Sequence, residues 1–256
     1  MTIVLLRTDS GYKMIKPKLE TDVLLGKLVP SMEDGRVVLS DFEIKSIIHK
    51  ARRIPNRHEG LLVEGLACMV DGRIEEGSEF CERSISLDTS DHVAWLNYSL
   101  TLASRGYHAK QREVLERALT YRLSEVYLSA LMTSVFWLDE QMFEQCIGVL
   151  DKTGLITSAL DDAQIQQVDF MRQLKPNMHI VSPFAQLAFE IADAERLITA
   201  TSHVSGDEEH GYFYSLGVQH ADTDRLIELN DMIIDKIIDK NLHHIDCVTI
   251  FISEDL

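Results

Sequence analysis

Half of the ten histidines in this 256-residue chain fall in its last 54 residues: His203, His210, His220, His243 and His244. With Asp207, Glu208 and Glu209 they bring together imidazole nitrogens and carboxylates, the donor types that ligate zinc and other divalent ions. Spacing argues against a metal. A histidine, three residues and then Asp-Glu-Glu-His corresponds to no metal motif with a mechanism behind it, and a helix carrying H-E-x-x-H is absent from the sequence. A solvated acidic hairpin turn accounts for the same residues. An enzyme using a metal on His203, Asp207 and His210 is therefore the third of three functional readings.

Other chemistry is thinner. Asp231, Asp235 and Asp239 recur every four residues with Asp224 and Glu228 nearby, a stripe that suits a cation, a basic partner or plain water. Cys68, Cys81, Cys146 and Cys247 form no C-x-x-C pair and sit among apolar neighbours, which predicts four reduced core thiols. Neither G-x-x-x-x-G-K-[ST] nor G-x-G-x-x-G occurs, nor G-x-S-x-G. No catalytic residue, metal or other cofactor is assigned, and a non-enzymatic role is expected.

Charge narrows the partners. The chain holds 25 Lys+Arg against 41 Asp+Glu, a formal net charge of −16. Such a surface repels phosphate backbones and anionic lipid, so whole-surface nucleic-acid or membrane binding is not expected. The distribution is uneven: residues 1–57 carry 11 basic and 7 acidic side chains, whereas residues 155–256 carry 6 and 18. The apolar run at residues 3–6 is shorter than a secretory signal, which needs roughly 7–15 apolar residues, or a spanning helix of about 20, so a cytoplasmic location is expected.

The elements that must position any site show first as an internal period. Residues 58–91 written above 92–125 place Leu61 on Trp95, Gly72 on Gly106, Cys81 on Leu115, Glu82-Arg83 on Glu116-Arg117 and Ile85 on Leu119, each 34 apart. Within each copy the apolar spacing is helical, and the glycine between the two helices suits a turn with left-handed backbone.

On these residues the segment 58–154 resembles the tetratricopeptide repeat. The stretch 72–88 is similar to that family's second helix, with Gly77 and Ser84 as small residues at the close approach; Trp95 matches its signature aromatic, and Gly65 and Ser99 its small first-helix residue. The turn proline is missing from both copies, and a third copy at about 126–154 keeps only the hairpin pattern. The resemblance implies stacked hairpins with a concave groove lined by the first helices. Carried over position by position, the groove positions are Glu59, Leu62, Leu66 and Met69 in the first copy, Val93, Leu96, Asn97 and Leu100 in the second, and Tyr127, Ala130 and Leu131 in the third; all but Glu59, Ala130 and Leu131 are the eight expected to contact a partner. Members that grip a terminal carboxylate place Lys, Arg and Asn there; this chain has only Asn97, so its trough suits an apolar helix or extended segment with basic flanks. The chain's own flanking helices are the competing occupant.

The flanks complete the expectation. A strand candidate lies at 2–6, a helix around 19–28, and a helix at 41–54 capped by Ser40 and stopped by Pro55. A helix follows the repeats at 161–174. Two prolines then mark 174–183 as the domain boundary. Beyond it come a helix near 184–196, an ambiguous 197–204, a strand at 212–219, a helix at 222–241 whose Leu226, Leu229, Ile233 and Ile237 cover the sheet, and a strand at 246–253. Strand, helix, strand predicts a parallel crossover. The fold expected is mostly α: tetratricopeptide-like helical hairpins followed by a small α+β domain. Its parts are 1–57 flanking segment, 58–176 repeats and 177–256 α+β. The function expected is an adaptor or chaperone-like protein. The alternative is ligand sensing or homodimerisation through the C-terminal domain.

Overall fold

The computed structural model describes residues 20–207 and 209–254. The chain divides into two compact units, Met1–Arg105 and Gly106–Leu256.

Among its described residues the first unit contains helices and no strand. In chain order it holds α1 (Glu20–Asp34), α2 (Asp41–Ala51), α3 (Arg57–Val70), α4 (Ile74–Leu87) and α5 (His92–Ala103). α3 is its axis, packed by α1, α2, α4 and α5. Sequence dictates this place: Leu61, Leu62, Val63, Leu66, Met69 and Val70 leave no polar face, and a helix apolar all round must be covered all round. α3 and α4 approach closely because Gly65 and Gly77 face each other. A Cβ on Gly65 would stand 2.7 Å from the Gly77 carbonyl oxygen, and one on Gly77 would stand 2.5 Å from that of Gly65. Gly72, at φ +84°, makes the turn between the two helices. The capping box on α2 is complete, with the Ser40 hydroxyl accepting from the Glu43 amide and the Glu43 carboxylate accepting from the Ser40 amide. At the other end of the unit, the Arg105 guanidinium donates to the Gly35 carbonyl at 2.6 Å and the Ser31 carbonyl at 3.3 Å, satisfying the C-terminus of α1.

The second unit contains α6 (His108–Leu119), α7 (Ser124–Trp137), α8 (Glu140–Thr153), α9 (Leu155–Ala159), α10 (Asp162–Leu174) and α11 (Met178–Ala194). After them come β1 (Thr199–Asp207), β2 (Gly211–Val218), α12 (Thr223–Asp239) and β3 (Cys247–Ser253). The sheet has order β1-β2-β3, with β1 antiparallel and β3 parallel to β2. Tyr212, Tyr214, Leu216 and Val218 turn the inner face of β2 toward the core, where α11 packs on β2 and β3. α12 makes the crossover and lies on β3 and α11 through Leu229 and Ile233.

The architecture is the mostly helical one expected, with helical hairpins followed by a small α+β element whose crossover strands are parallel. The third strand is β1, and among the described residues the sheet has three strands. Two expectations need correction. Residues 174–183 are no linker: α10 runs through a single 3-10 turn, Lys175–Asn177, into α11. Pro176 sits in that turn, and Pro183 is accommodated in the second turn of α11, so neither breaks the chain into domains. The division between units falls instead at Arg105/Gly106, between the two helices of the second copy. The strand candidate at 2–6 lies outside the described residues.

Candidate functional site

The eight residues expected to line a groove part company. On α3, Leu62, Leu66 and Met69 are 2%, 0% and 0% exposed, within a stretch buried without a break from Gly60 to Val70. The trough expected of the first copy is closed, since α3 is enclosed by α1, α2, α4 and α5. The acids that flank it are answered: the Thr21 hydroxyl donates to the Glu59 carboxylate, and Arg52 Nε meets the buried Glu64 carboxylate at 2.7 Å. On α5, Val93 is exposed, and Leu96, Asn97 and Leu100 are half-buried. The Asn97 amide donates to the Val93 carbonyl of its own helix at 2.9 Å. Tyr127 belongs to the second unit, buried on α7, with its hydroxyl donating to the Leu119 carbonyl.

One buried constellation in the first unit has the composition of a hydrolase triad. His58 Nε2 is 2.6 Å from an Asp91 carboxylate oxygen, and His58 Nδ1 is 3.0 Å from Ser84 Oγ. Its geometry serves structure. Ser84 is 0% exposed and its hydroxyl donates to the His58 carbonyl at 2.9 Å, so no substrate reaches it. Both ring nitrogens face acceptors, the Ser84 carbonyl and the Asp91 carboxylate, which favours the doubly protonated ring. Burial pushes the His58 pKa down, but these bonds and the Asp91 and Asp88 charges outweigh it, and the net displacement is upward. Asp91 also caps α5 by accepting from the Val93 amide. His58 thus ties the start of α3 to the end of α4 and the cap of α5.

The four cysteines are buried and unbonded. Burial pushes Cys68 up to about 11 and Cys146 and Cys247 up to about 12, with Cys81 raised furthest, so none is a thiolate at neutral pH. Among the described residues, no group of three or more His, Cys, Asp or Glu side chains is disposed to hold a metal. Asp207 is occupied as the β1–β2 turn residue, accepting from the amides of Glu209 and His210 and from the His210 ring. Glu208 lies outside the described residues.

Two features of the second unit remain. One is a cavity of about 280 Å³ lined by Trp137, Phe189, Met142, Arg112, Gln186 and neighbouring residues. Beneath it Trp137 stacks edge-on against Phe189 and His108, 5.0 Å from each. The other is an uncovered apolar face. On α12, Ile227, Ile234 and Ile238 are 55%, 54% and 59% exposed; on β3, Val248 and Ile252 are 53% and 37% exposed. The three isoleucines share one side of the helix, at i, i+7 and i+11. They were not among the expected site residues. The signal was in the sequence as the doublets Ile233-Ile234 and Ile237-Ile238, because adjacent residues on a helix point about 100° apart and only one of each pair can face the core.

Asn230 joins the two halves of this face. Its side-chain amide donates to the Phe251 carbonyl at 3.0 Å, and its oxygen accepts from the Phe251 amide at 2.8 Å, on the outer edge of β3.

Comparison with family models, with curated proteins and with solved structures gave no match, so the functional reading rests on the residues themselves. No helix among the described residues is long and apolar enough to cross a membrane.

Proposed function

We propose that this chain is a non-catalytic protein-binding protein, an adaptor or chaperone-like molecule that holds an apolar segment of a partner. The supporting observation is the set of five exposed branched aliphatic side chains on α12 and β3. Full burial of one such side chain is worth about 1.5–3 kcal/mol, and a surface built of several can offset the cost of association without any covalent step. The tetratricopeptide-like hairpins fit the same reading as a rigid scaffold, and a cytoplasmic location belongs to the same proposal. The docking place moves, however, from the covered α3 trough to the α12–β3 face. Affinity capture from cells with wild type, Ile234→Asp/Ile238→Asp and Leu96→Asp/Leu100→Asp tests it. The α12 pair is expected to lose the captured proteins and the α5 pair to keep them; identical capture by all three rejects the proposal.

A second reading, ligand sensing or homodimerisation through the C-terminal part, draws on the cavity beside Trp137. A thermal-shift screen of metabolites and metals favours it if a shift is lost in Gln186→Ala. A flat screen with a monomeric mass rejects it.

A further inference from the structure

We infer that the α12–β3 face docks a basic amphipathic helix of a partner protein, an inference that rests on the protein-binding reading above. The apolar row runs from Ile227 to Ile238, twelve residues separated by eleven rises and so about 16 Å of helix, or three turns. A row of that length and spacing matches the i, i+4, i+7 anchors of a helix lying along it.

An added strand fits less well. Strand addition needs free amide and carbonyl groups on an edge, and the Phe251 pair that points outward from β3 is already held by the Asn230 side chain. Asn230 acts there as a one-residue substitute for a neighbouring strand. The exposed side chains are free while the ladder groups at Phe251 are taken, a combination that selects a helix over an extended segment.

Charge sets the partner's flank. Turning round α12 beyond the isoleucines, the next row is Asp231, Asp235 and Asp239, all exposed. Among the described residues no basic side chain pairs with them. Of the nearby cations, Arg225 pairs with Glu195 and Glu228 and Lys236 with Glu190 at 3.2 Å, while Lys240 caps the end of the helix beyond the row. Residues 106–256 carry 11 Lys+Arg against 25 Asp+Glu, so little positive charge is available to answer this row. Its complement is a helix whose apolar stripe is bordered by Lys or Arg. A second copy fits worse in an antiparallel pair, where two α12 helices joined on their isoleucine rows bring one acidic row against the other.

Two synthetic 18-residue helical peptides with the same leucine stripe, one flanked by Lys and one by Glu, are titrated by fluorescence anisotropy against the full chain. The Lys peptide is expected to bind at least tenfold tighter than the Glu peptide. Asp231→Asn/Asp235→Asn/Asp239→Asn is expected to weaken it at least tenfold and flatten its salt dependence, and Ile234→Asp/Ile238→Asp to abolish it. Equal affinities for the two peptides overturn the inference. So does affinity unchanged by the isoleucine pair, which marks diffuse charge attraction. A dimeric mass for the chain alone that becomes monomeric in the isoleucine pair assigns the face to a second copy and also overturns it. If the Lys peptide fails to bind while the isoleucine pair still loses partners from cells, only the helix inference falls; if partner capture is also unchanged, the protein-binding proposal falls with it.

Discussion

α3 and α12 are both rich in aliphatic side chains, yet one is enclosed and the other keeps a bare stripe. α3 is mostly apolar and has four helices around it, and its two acids are answered, the half-exposed Glu59 by Thr21 and Asn56 and the buried Glu64 by Arg52. α12 buries Leu229 and Ile233, leaves Ile227, Ile234 and Ile238 in water, and carries beside them an acidic row that no cation meets among the described residues. The units differ in the same sense. Residues 1–105 hold 14 basic and 16 acidic side chains, whereas residues 106–256 hold 11 and 25. An aliphatic row next to answered charge belongs to a core. A similar row next to unanswered charge stays in water on α12.

The largest expected effect falls on α3. Leu66→Asp buries a carboxylate at a site with 0% exposure and no cation placed to pair with it, so the loss is several kcal/mol and the first unit unfolds. Urea titration followed by circular dichroism checks this; a variant as stable as wild type would mean that α3 is not enclosed.

Next in size is an opposition in pH response. His58 in the first unit has its pKa raised by its acceptors, against the effect of burial, so the native state holds its proton more tightly than the unfolded chain. Its stabilisation is complete below the ordinary value near 6.5 and fades as pH climbs through the raised native value. His108 in the second unit is the reverse. Burial lowers its pKa, with the ring donating to the Leu197 carbonyl at 2.9 Å, so it is held neutral. Its contribution is complete above about 6.5 and is lost as pH falls through the lowered native value. Amide exchange measured across this range should show the first unit loosening on the alkaline side and the second on the acidic side. His58→Gln should remove the first trend alone. Parallel trends in both units contradict the comparison.

The smallest expected effect is on α12 itself. Ile234→Asp/Ile238→Asp replaces side chains that are already in water, so the unfolding free energy from urea titration should stay within about 0.5 kcal/mol per site of wild type. A large loss would show that the stripe is covered in the free protein.

Much of the fold was legible because it rests on local chemistry. The 34-residue offset located the hairpin helices: α3 and α5 begin at 57 and 92, and α4 and α6 at 74 and 108. Ser40 announced the start of α2, and alternation at 212–218 and 247–252 announced the strands. Proline misled at 174–183, because Pro176 falls in a 3-10 turn and Pro183, in the second turn of α11, removes one backbone bond without ending the helix. The site was harder to see because coverage is a tertiary property. Leu66 and Ile234 are both aliphatic residues on amphipathic patterns; only the packing of α1, α2, α4 and α5 around one and the Asn230 clamp beside the other separate them. The all-round apolarity of α3 and the isoleucine doublets of α12 were the available clues.

The most direct test is amide hydrogen exchange of the full chain with and without the Lys-flanked peptide. The account predicts new protection confined to α12 and β3, residues 223–239 and 247–253, with α3 equally protected in both states. Protection that appears on α5 instead, or nowhere, contradicts it.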